Sequence, residues 1–168
     1  MGRDAATSTG NVWRDARLRA AKWNDELNSQ DGVADIIGCG RDAIRRIENG
    51  LNKVMPVDTA ILLADLYRAP ELKNYYCLHE CPIGRNRSLS CESVEIDRAA
   101  VRLTQALRKE TVQWFKHTLQ DIAMDGEISS DELAEFDEVV ESLKEVSKII
   151  SELEVIRDRR QSESMGVK

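Results

Sequence analysis

The sequence is poor in residues that interrupt helices and in long apolar runs. It has 3 prolines among 168 residues, and it lacks the run of about 18 apolar residues that a membrane-spanning helix needs. Its first ten residues contain one Arg and no apolar stretch, which is not the pattern of a secretory signal. We therefore expect a cytoplasmic protein that makes no contact with a membrane.

Patterns that indicate catalysis are also missing. The chain has 2 histidines, and it shows no serine nucleophile motif, no glycine-rich phosphate loop and no cysteine–histidine–asparagine arrangement. His117 lies among Trp114, Phe115 and Leu119, a position typical of the edge of a helical core. We expect no enzyme activity, no small-molecule substrate and no cofactor.

The pattern that is present is helical periodicity. Long stretches without Pro or Gly, and little β-branched alternation, predict an all-α fold. Apolar residues at three- and four-residue steps predict the buried face of a first helix: Trp13, Ala16, Ala20, Trp23 and Leu27. Two short helices are predicted over about 30–37 and 41–49, and Pro56 and Pro70 suit the starts of two more.

A cluster of Pro, Gly and polar residues predicts a linker at 82–92. Before it we expect a helical domain over 11–81, and after it a hairpin of two long helices over 93–160, with the first helix reaching about Met124. Ser129 and Glu132 form a capping-box pattern before the second helix. The two ends, 1–10 and 161–168, are expected to be disordered tails.

Charge is divided unevenly between the two halves. Residues 1–91 hold 13 Lys and Arg against 12 Asp and Glu, whereas residues 92–168 hold 11 against 18, so the net charges are +1 and −7. The acidic hairpin is therefore a poor surface for nucleic acid. Because two helices alone make a thin core, we expect the apolar side of the hairpin to pack on the N-terminal domain or on a second subunit, and we predict oligomerisation as its role.

The most specific pattern lies at residues 29–50, which read SQDGVADIIGCGRDAIRRIENG. With its Ser-Gln start, small Ala34, turn glycine and Ile-Glu-Asn-Gly ending, it resembles the XRE family of lambda-repressor-like helix-turn-helix proteins. The resemblance extends over about residues 12–68, less than half of the chain. It implies a lambda-repressor-like helix-turn-helix domain, followed here by the acidic helical hairpin.

The resemblance implies sequence-specific binding of double-stranded DNA by a homodimer, and hence a transcriptional regulator of phage or mobile-element type. A recognition helix places its N-terminal residues at base edges in the major groove. We expect base contacts from Arg41, Asp42 and Arg45, and a base or phosphate contact from Arg46. We expect phosphate contacts from Gln30, Asn49 and Lys53.

The sequence departs from the family pattern at three positions. Gly40 replaces the usual Ser or Thr before the recognition helix and is a weaker cap. Gly32 lies inside the preceding helix, where glycine is expected to cost about 1 kcal/mol relative to alanine. Asp42 brings a carboxylate towards the DNA phosphates.

A cysteine cluster is the second notable feature. Cys77 and Cys81 are four residues apart, so they share one face of a helix, and Cys91 follows the Pro-Gly turn. Together with Cys39 or His79 they predict, as one interpretation, a zinc or iron–sulfur site. The spacing matches no established zinc pattern, so the other interpretation is buried structural thiols.

Two further functions fit the same residues. One is a protein-interaction adaptor or antirepressor whose helix-turn-helix does not read DNA, which the overall acidity and Asp42 favour. The other is a metal- or redox-sensing regulator that uses the cysteine cluster to change its DNA affinity.

Overall fold

The computed structural model describes residues 9–52, 54–84, 87–92, 94–124 and 126–165. Within these ranges all regular secondary structure is helical, which confirms the all-α prediction. A short 3₁₀ helix, Asp25–Asn28, accompanies the α-helices, which are α1 Val12–Ala20, α2 Gln30–Ile37, α3 Arg41–Glu48, α4 Val57–Leu66, α5 Glu71–His79, α6 Ile96–Ala106, α7 Lys109–Ala123 and α8 Leu133–Met165. None of these helices combines the length and the apolar character that crossing a membrane requires.

The chain divides into two compact units. The first comprises residues 1–85 together with 159–168, and the second comprises residues 86–158. The division falls within 82–92, where the sequence predicts a linker. A disordered tail was expected from residue 161, but α8 continues as a helix to Met165. The remainder of the two expected tails, residues 1–8 and 166–168, lies outside the described residues.

The first unit is built around an apolar core that α1 to α5 share. Asn11 opens α1 by accepting hydrogen bonds from the backbone N–H groups of Trp13 and Arg14, and its own amide donates to the carbonyl of Ile47 at 3.0 Å. The side chains that fill the core come from α1 to α5, the 3₁₀ helix and the segments between them, and include Trp13, Ala20, Leu27, Val33, Ala34, Ile44, Ile47, Met55, Leu63, Tyr67 and Leu72.

One residue of the predicted first buried face lies elsewhere. Trp13, Ala16 and Ala20 are buried as expected, but α1 ends at Ala20 and the chain turns before the 3₁₀ helix. The turn breaks the helical register, so Trp23 is 47% exposed. The guanidinium carbon of Arg68 lies 4.1 Å from the centre of a Trp23 ring, which gives the exposed indole a cation–π contact.

Helices α2 and α3 are joined by a three-residue turn. The hydroxyl of Ser29 caps α2 by accepting from the N–H of Gly32 at 3.0 Å. Gly38 ends α2 with a φ of 72°, a left-handed conformation that suits glycine. Gly40 precedes α3 in an extended conformation and makes no side-chain capping bond, as expected. The two helices bury Ala34, Ile44 and Ile47 against the core.

The expected penalty for Gly32 is wrong. A Cβ atom at this position would lie 2.0 Å from the carbonyl oxygen of Glu26. The backbone before α2 passes so close that only glycine fits, and this contact outweighs the helix propensity of alanine.

Among its described residues, the second unit has three helical segments where the sequence predicts two. The long helix expected up to Met124 is broken between α6 and α7, because Leu107 closes α6 and Arg108 adopts an extended conformation with a ψ of 154°. Neither Pro nor Gly marks the break. The capping box is confirmed: the N–H of Ser129 donates to the Glu132 carboxylate at 2.9 Å, and the N–H of Glu132 donates to the Ser129 hydroxyl at 3.3 Å.

An ionic cluster holds α6 against α8 within the second unit. The Arg102 guanidinium donates to the carboxylates of Glu152 at 2.7 Å and Glu145 at 2.5 Å. Glu152 is completely buried, so the Arg102 charge compensates a carboxylate that water cannot reach. These hydrogen bonds also raise the pKa of Arg102.

Candidate nucleic-acid interface

A buried ion pair fixes the C-terminal end of α3. Arg17 on α1 donates from Nε to Glu48 Oε1 at 2.5 Å and from Nη2 to Oε2 at 3.0 Å. The Arg17 and Glu48 side chains are 6% and 1% exposed. The third guanidinium nitrogen, Nη1, donates to the carbonyls of Leu27 and Asn28, each at 3.0 Å. The hydrogen bonds to Glu48 raise the pKa of Arg17, and the pair ties α3 rigidly to α1.

Gln30, the first residue of α2, belongs to the same network. Its amide nitrogen donates to Glu48 Oε2 at 2.8 Å, and its side chain is half-buried. The sequence predicts a phosphate contact for Gln30. An amide nitrogen carries two hydrogens, and one of them serves Glu48, so a phosphate contact would use the other.

The pairing of Arg17 with Glu48 was not predicted from the sequence. A signal was present, because each is a charged residue on the otherwise apolar face of its helix. Arg17 lies between Ala16 and Ala20, and Glu48 follows Ile47. A single buried charge on one helix predicts an opposite charge on a neighbouring helix, since an unpaired buried charge is too costly to keep.

The outer face of α3 is polar and basic. Arg41, Asp42, Arg45 and Arg46 are all exposed, whereas Ile44 and Ile47 on the inner face are buried. Asn49, just after the helix, is exposed as well. Five of the predicted contact residues thus lie on one short surface at α3 and its C-terminal end. Of the other two, Gln30 is the first residue of α2, and Lys53 lies outside the described residues.

Two of these arginines lie next to acidic side chains of the same unit. Arg41 Nε is 3.3 Å from the Asp31 carboxylate on α2, and Arg45 Nε is 3.5 Å from the Asp42 carboxylate. All four side chains are more than half exposed. Exposed pairs of this kind contribute about 0–1 kcal/mol and are screened by salt. The two carboxylates therefore orient the guanidinium groups only weakly, and a competing anion can replace them at little cost in free energy.

The predicted metal ligands do not come together in the part of the chain that the structure describes. Cys77 lies on α5, Cys81 follows that helix, and Cys91 belongs to the second unit, and each of the three side chains is half-buried. His79 is stacked on Tyr75, with ring centres 4.4 Å apart. Among the described residues, no three His, Cys, Asp or Glu side chains are placed to hold a metal ion. The zinc or iron–sulfur site stays a prediction.

Cys39, the other cysteine considered for the metal site, lies in the turn between α2 and α3. It is half-buried at the edge of the core, and burial raises the pKa of its thiol. Its Sγ atom lies 3.6 Å from the Gly40 carbonyl oxygen. This environment is that of a small core residue rather than of a reactive thiolate.

Comparison with known proteins adds no relative. No family model matches the chain, and the searches of curated proteins and of solved structures found no match. A function can therefore be inferred only from the geometry of α2 and α3 and from the residues that they carry.

Proposed function

We propose that this protein binds double-stranded DNA in a sequence-specific manner through α3, and that it regulates transcription in the manner of phage and mobile-element regulators. The observation that carries this proposal is the two-sided character of α3. Arg41, Arg45 and Arg46 lie exposed on one side, and Ile44 and Ile47 are buried on the other.

The dimensions of α3 suit the major groove. An α-helix with its side chains is about 10–12 Å in diameter, and the major groove of B-form DNA, about 12 Å wide, admits a helix of that diameter. Arg41 and Arg45 can each bridge O6 and N7 of a guanine, and Asp42 can accept from the amino group of a cytosine. Arg46, towards the far end of the helix, would contact a base edge or a phosphate, and Asn49, just after the helix, would contact a phosphate.

The buried network supports this role by fixing α3 before DNA arrives. Arg17, Glu48 and Gln30 connect α1, α2 and α3 through hydrogen bonds of 2.5–3.0 Å. A recognition surface that is already rigid loses little conformational freedom on binding, so more of the contact energy appears as affinity.

Selection of bound sequences from random DNA duplexes tests the proposal. We expect the full-length protein to enrich an inverted repeat with half-sites about 10 base pairs apart, because a homodimer presents two recognition helices about one helical turn apart. Binding should also fall steeply as salt rises, since phosphate contacts release counterions. No enriched sequence, or binding indifferent to salt, would overturn the proposal.

A second candidate function, a protein-interaction adaptor, has two observations in its favour. Asp31 and Asp42 partly neutralise the two arginines that would meet bases, and an apolar stretch follows α3 directly. In it Leu51, Val54 and Val57 are exposed. Under this alternative, changing Leu51 and Val54 to Ser would abolish capture of a protein partner, and changing Arg41 and Arg45 would leave it intact.

A further inference from the structure

Helix α8 carries apolar side chains that the rest of its unit does not cover and that stay exposed to solvent. Leu133, Leu143 and Ile150 are 50%, 43% and 47% exposed, and two half-buried residues lie between them on the same side. We call this set the outer stripe of α8: Leu133, Phe136, Val140, Leu143 and Ile150. The core of the unit takes other positions of the helix, among them Val139 and Ile149.

The spacing of the outer stripe is that of a coiled coil. Its members follow one another at alternating steps of three and four residues, and the exposed Ser147 occupies the one position that is not apolar. A repeat of this kind keeps one seam of a helix facing a partner helix along its length. The stripe is therefore suited to another helix rather than to a compact ligand.

We propose that the outer stripe pairs with the same stripe of a second copy of this chain, with the two α8 helices antiparallel. A two-fold axis between Glu141 and Ser142 sets Leu133 opposite the partner's Ile150. It also sets Val140 opposite the partner's Leu143. Both of these pairings join apolar side chains, and in the third pairing Ser147 lies opposite the partner's Phe136. Such a pairing is closed, so it stops at a dimer.

Charge at the border of the stripe selects this orientation. Asp137 and Lys144 are exposed and lie along the same border, seven residues apart. The antiparallel register brings Asp137 beside the partner's Lys144, and the symmetry makes this contact twice. A parallel pair would instead bring Asp137 beside the partner's Glu132, which places two acids together. Lys144 also contacts Glu141 of its own helix at 2.6 Å, but that pair is exposed and easily exchanged.

This pairing deepens the proposed function, because an inverted repeat is read by two copies of the DNA-binding unit. It does not depend on DNA for its existence, however. It can therefore be measured on the free protein, and its failure can be told apart from a failure of DNA recognition.

Sedimentation equilibrium of the full-length protein without DNA tests the pairing. We expect a dimer whose dissociation constant rises at least tenfold in Leu143→Glu, with helical content by circular dichroism unchanged because Leu143 is 43% exposed in the single chain. The control is Val101→Glu on α6, where the replaced side chain is 57% exposed. A monomer at all concentrations, a dimer indifferent to Leu143→Glu, or equal loss in the control would overturn the proposal.

Exchange of the border charges tests the orientation. Asp137→Lys and Lys144→Asp should each weaken the dimer about tenfold, because each creates two like-charge contacts. The double variant Asp137→Lys with Lys144→Asp restores two attractive contacts in the antiparallel dimer, so its affinity should return to within about threefold of the original. A double variant as weak as the single ones would overturn the antiparallel arrangement.

Discussion

Arg17 and Glu48 are joined by two hydrogen bonds in a place that water hardly reaches, and this contact links α1 to the last turn of α3. Glu48 also accepts from Gln30, and Arg17 also donates to two backbone carbonyls. Both members of the pair therefore make further hydrogen bonds besides those that join them. Removing one member would leave the other charged, buried and short of its main partner.

We therefore predict that Glu48→Ala lowers the free energy of unfolding by about 3–5 kcal/mol, the usual cost of breaking a buried pair. Urea denaturation followed by circular dichroism measures the loss. The matched variant Arg17→Met with Glu48→Leu should recover most of it, because no unpaired charge remains. A loss below about 1 kcal/mol in Glu48→Ala would mean that the pair is not buried as described.

Substitutions on α3 should separate base contacts from phosphate contacts. Arg41→Ala and Arg45→Ala should each cost about 1–3 kcal/mol of DNA-binding energy and relax the preference at one base position of the selected site. Asn49→Ala should weaken binding to all sequences alike. Fluorescence anisotropy with the selected duplex and single-base variants measures both effects.

The control for these variants is Arg108→Ala, which removes an exposed arginine from the second unit. It should change neither affinity nor base preference. If Arg108→Ala weakens binding as much as Arg41→Ala does, the interaction is a general charge effect, and α3 is not the reading element.

Gly32 should resist replacement in spite of its helical position. Helix propensity alone predicts that Gly32→Ala stabilises the protein by about 1 kcal/mol. Because the new Cβ would lie 2.0 Å from the Glu26 carbonyl oxygen, we predict destabilisation instead. Gly40→Ser is the matched control: its new Cβ meets no atom within 4 Å, and the hydroxyl can cap α3. Thermal melting should show a lower Tm for the first variant and an unchanged or higher Tm for the second.

The sequence predicted the elements that local signals define. Ser29 and Gly38 mark the ends of α2, and the spacing of Ile44 and Ile47 identifies the inner face of α3. Capping and helical periodicity act within a few residues, so they can be read without knowledge of the fold. The exposed arginines of α3 follow from the same reasoning, because whatever lies opposite the apolar face must meet solvent.

The features that were missed depend on distant parts of the chain. Arg17 and Glu48 are 31 residues apart, and the close approach of Glu26 to Gly32 depends on how the 3₁₀ helix packs. The break between α6 and α7 at Leu107 could not be predicted from the sequence, because no Pro or Gly lies near it. Such features arise from tertiary packing, and they override propensities that a window of sequence can show.

The pH dependence of stability should show the burial of Tyr67. Its side chain is 4% exposed, and burial, followed by the negative charge of Glu48, raises the pKa of its phenol well above the usual value of about 10. Above pH about 10, the usual pKa of a tyrosine, the phenol of the unfolded chain loses its proton while that of the folded chain keeps it. The unfolded state then binds fewer protons, so the free energy of unfolding falls as pH rises.

We predict that Tyr67→Phe, which has no ionisable phenol, loses stability less steeply above pH about 10, by up to about 1.4 kcal/mol per pH unit. Urea denaturation at several pH values between about 7 and 11 gives the two curves. Their separation near pH 7, where the phenol is protonated in both states, sets the baseline for the lost hydroxyl. Parallel curves through the alkaline range would mean that Tyr67 ionises as readily in the folded chain as in the unfolded one, which burial beside the Glu48 carboxylate does not permit.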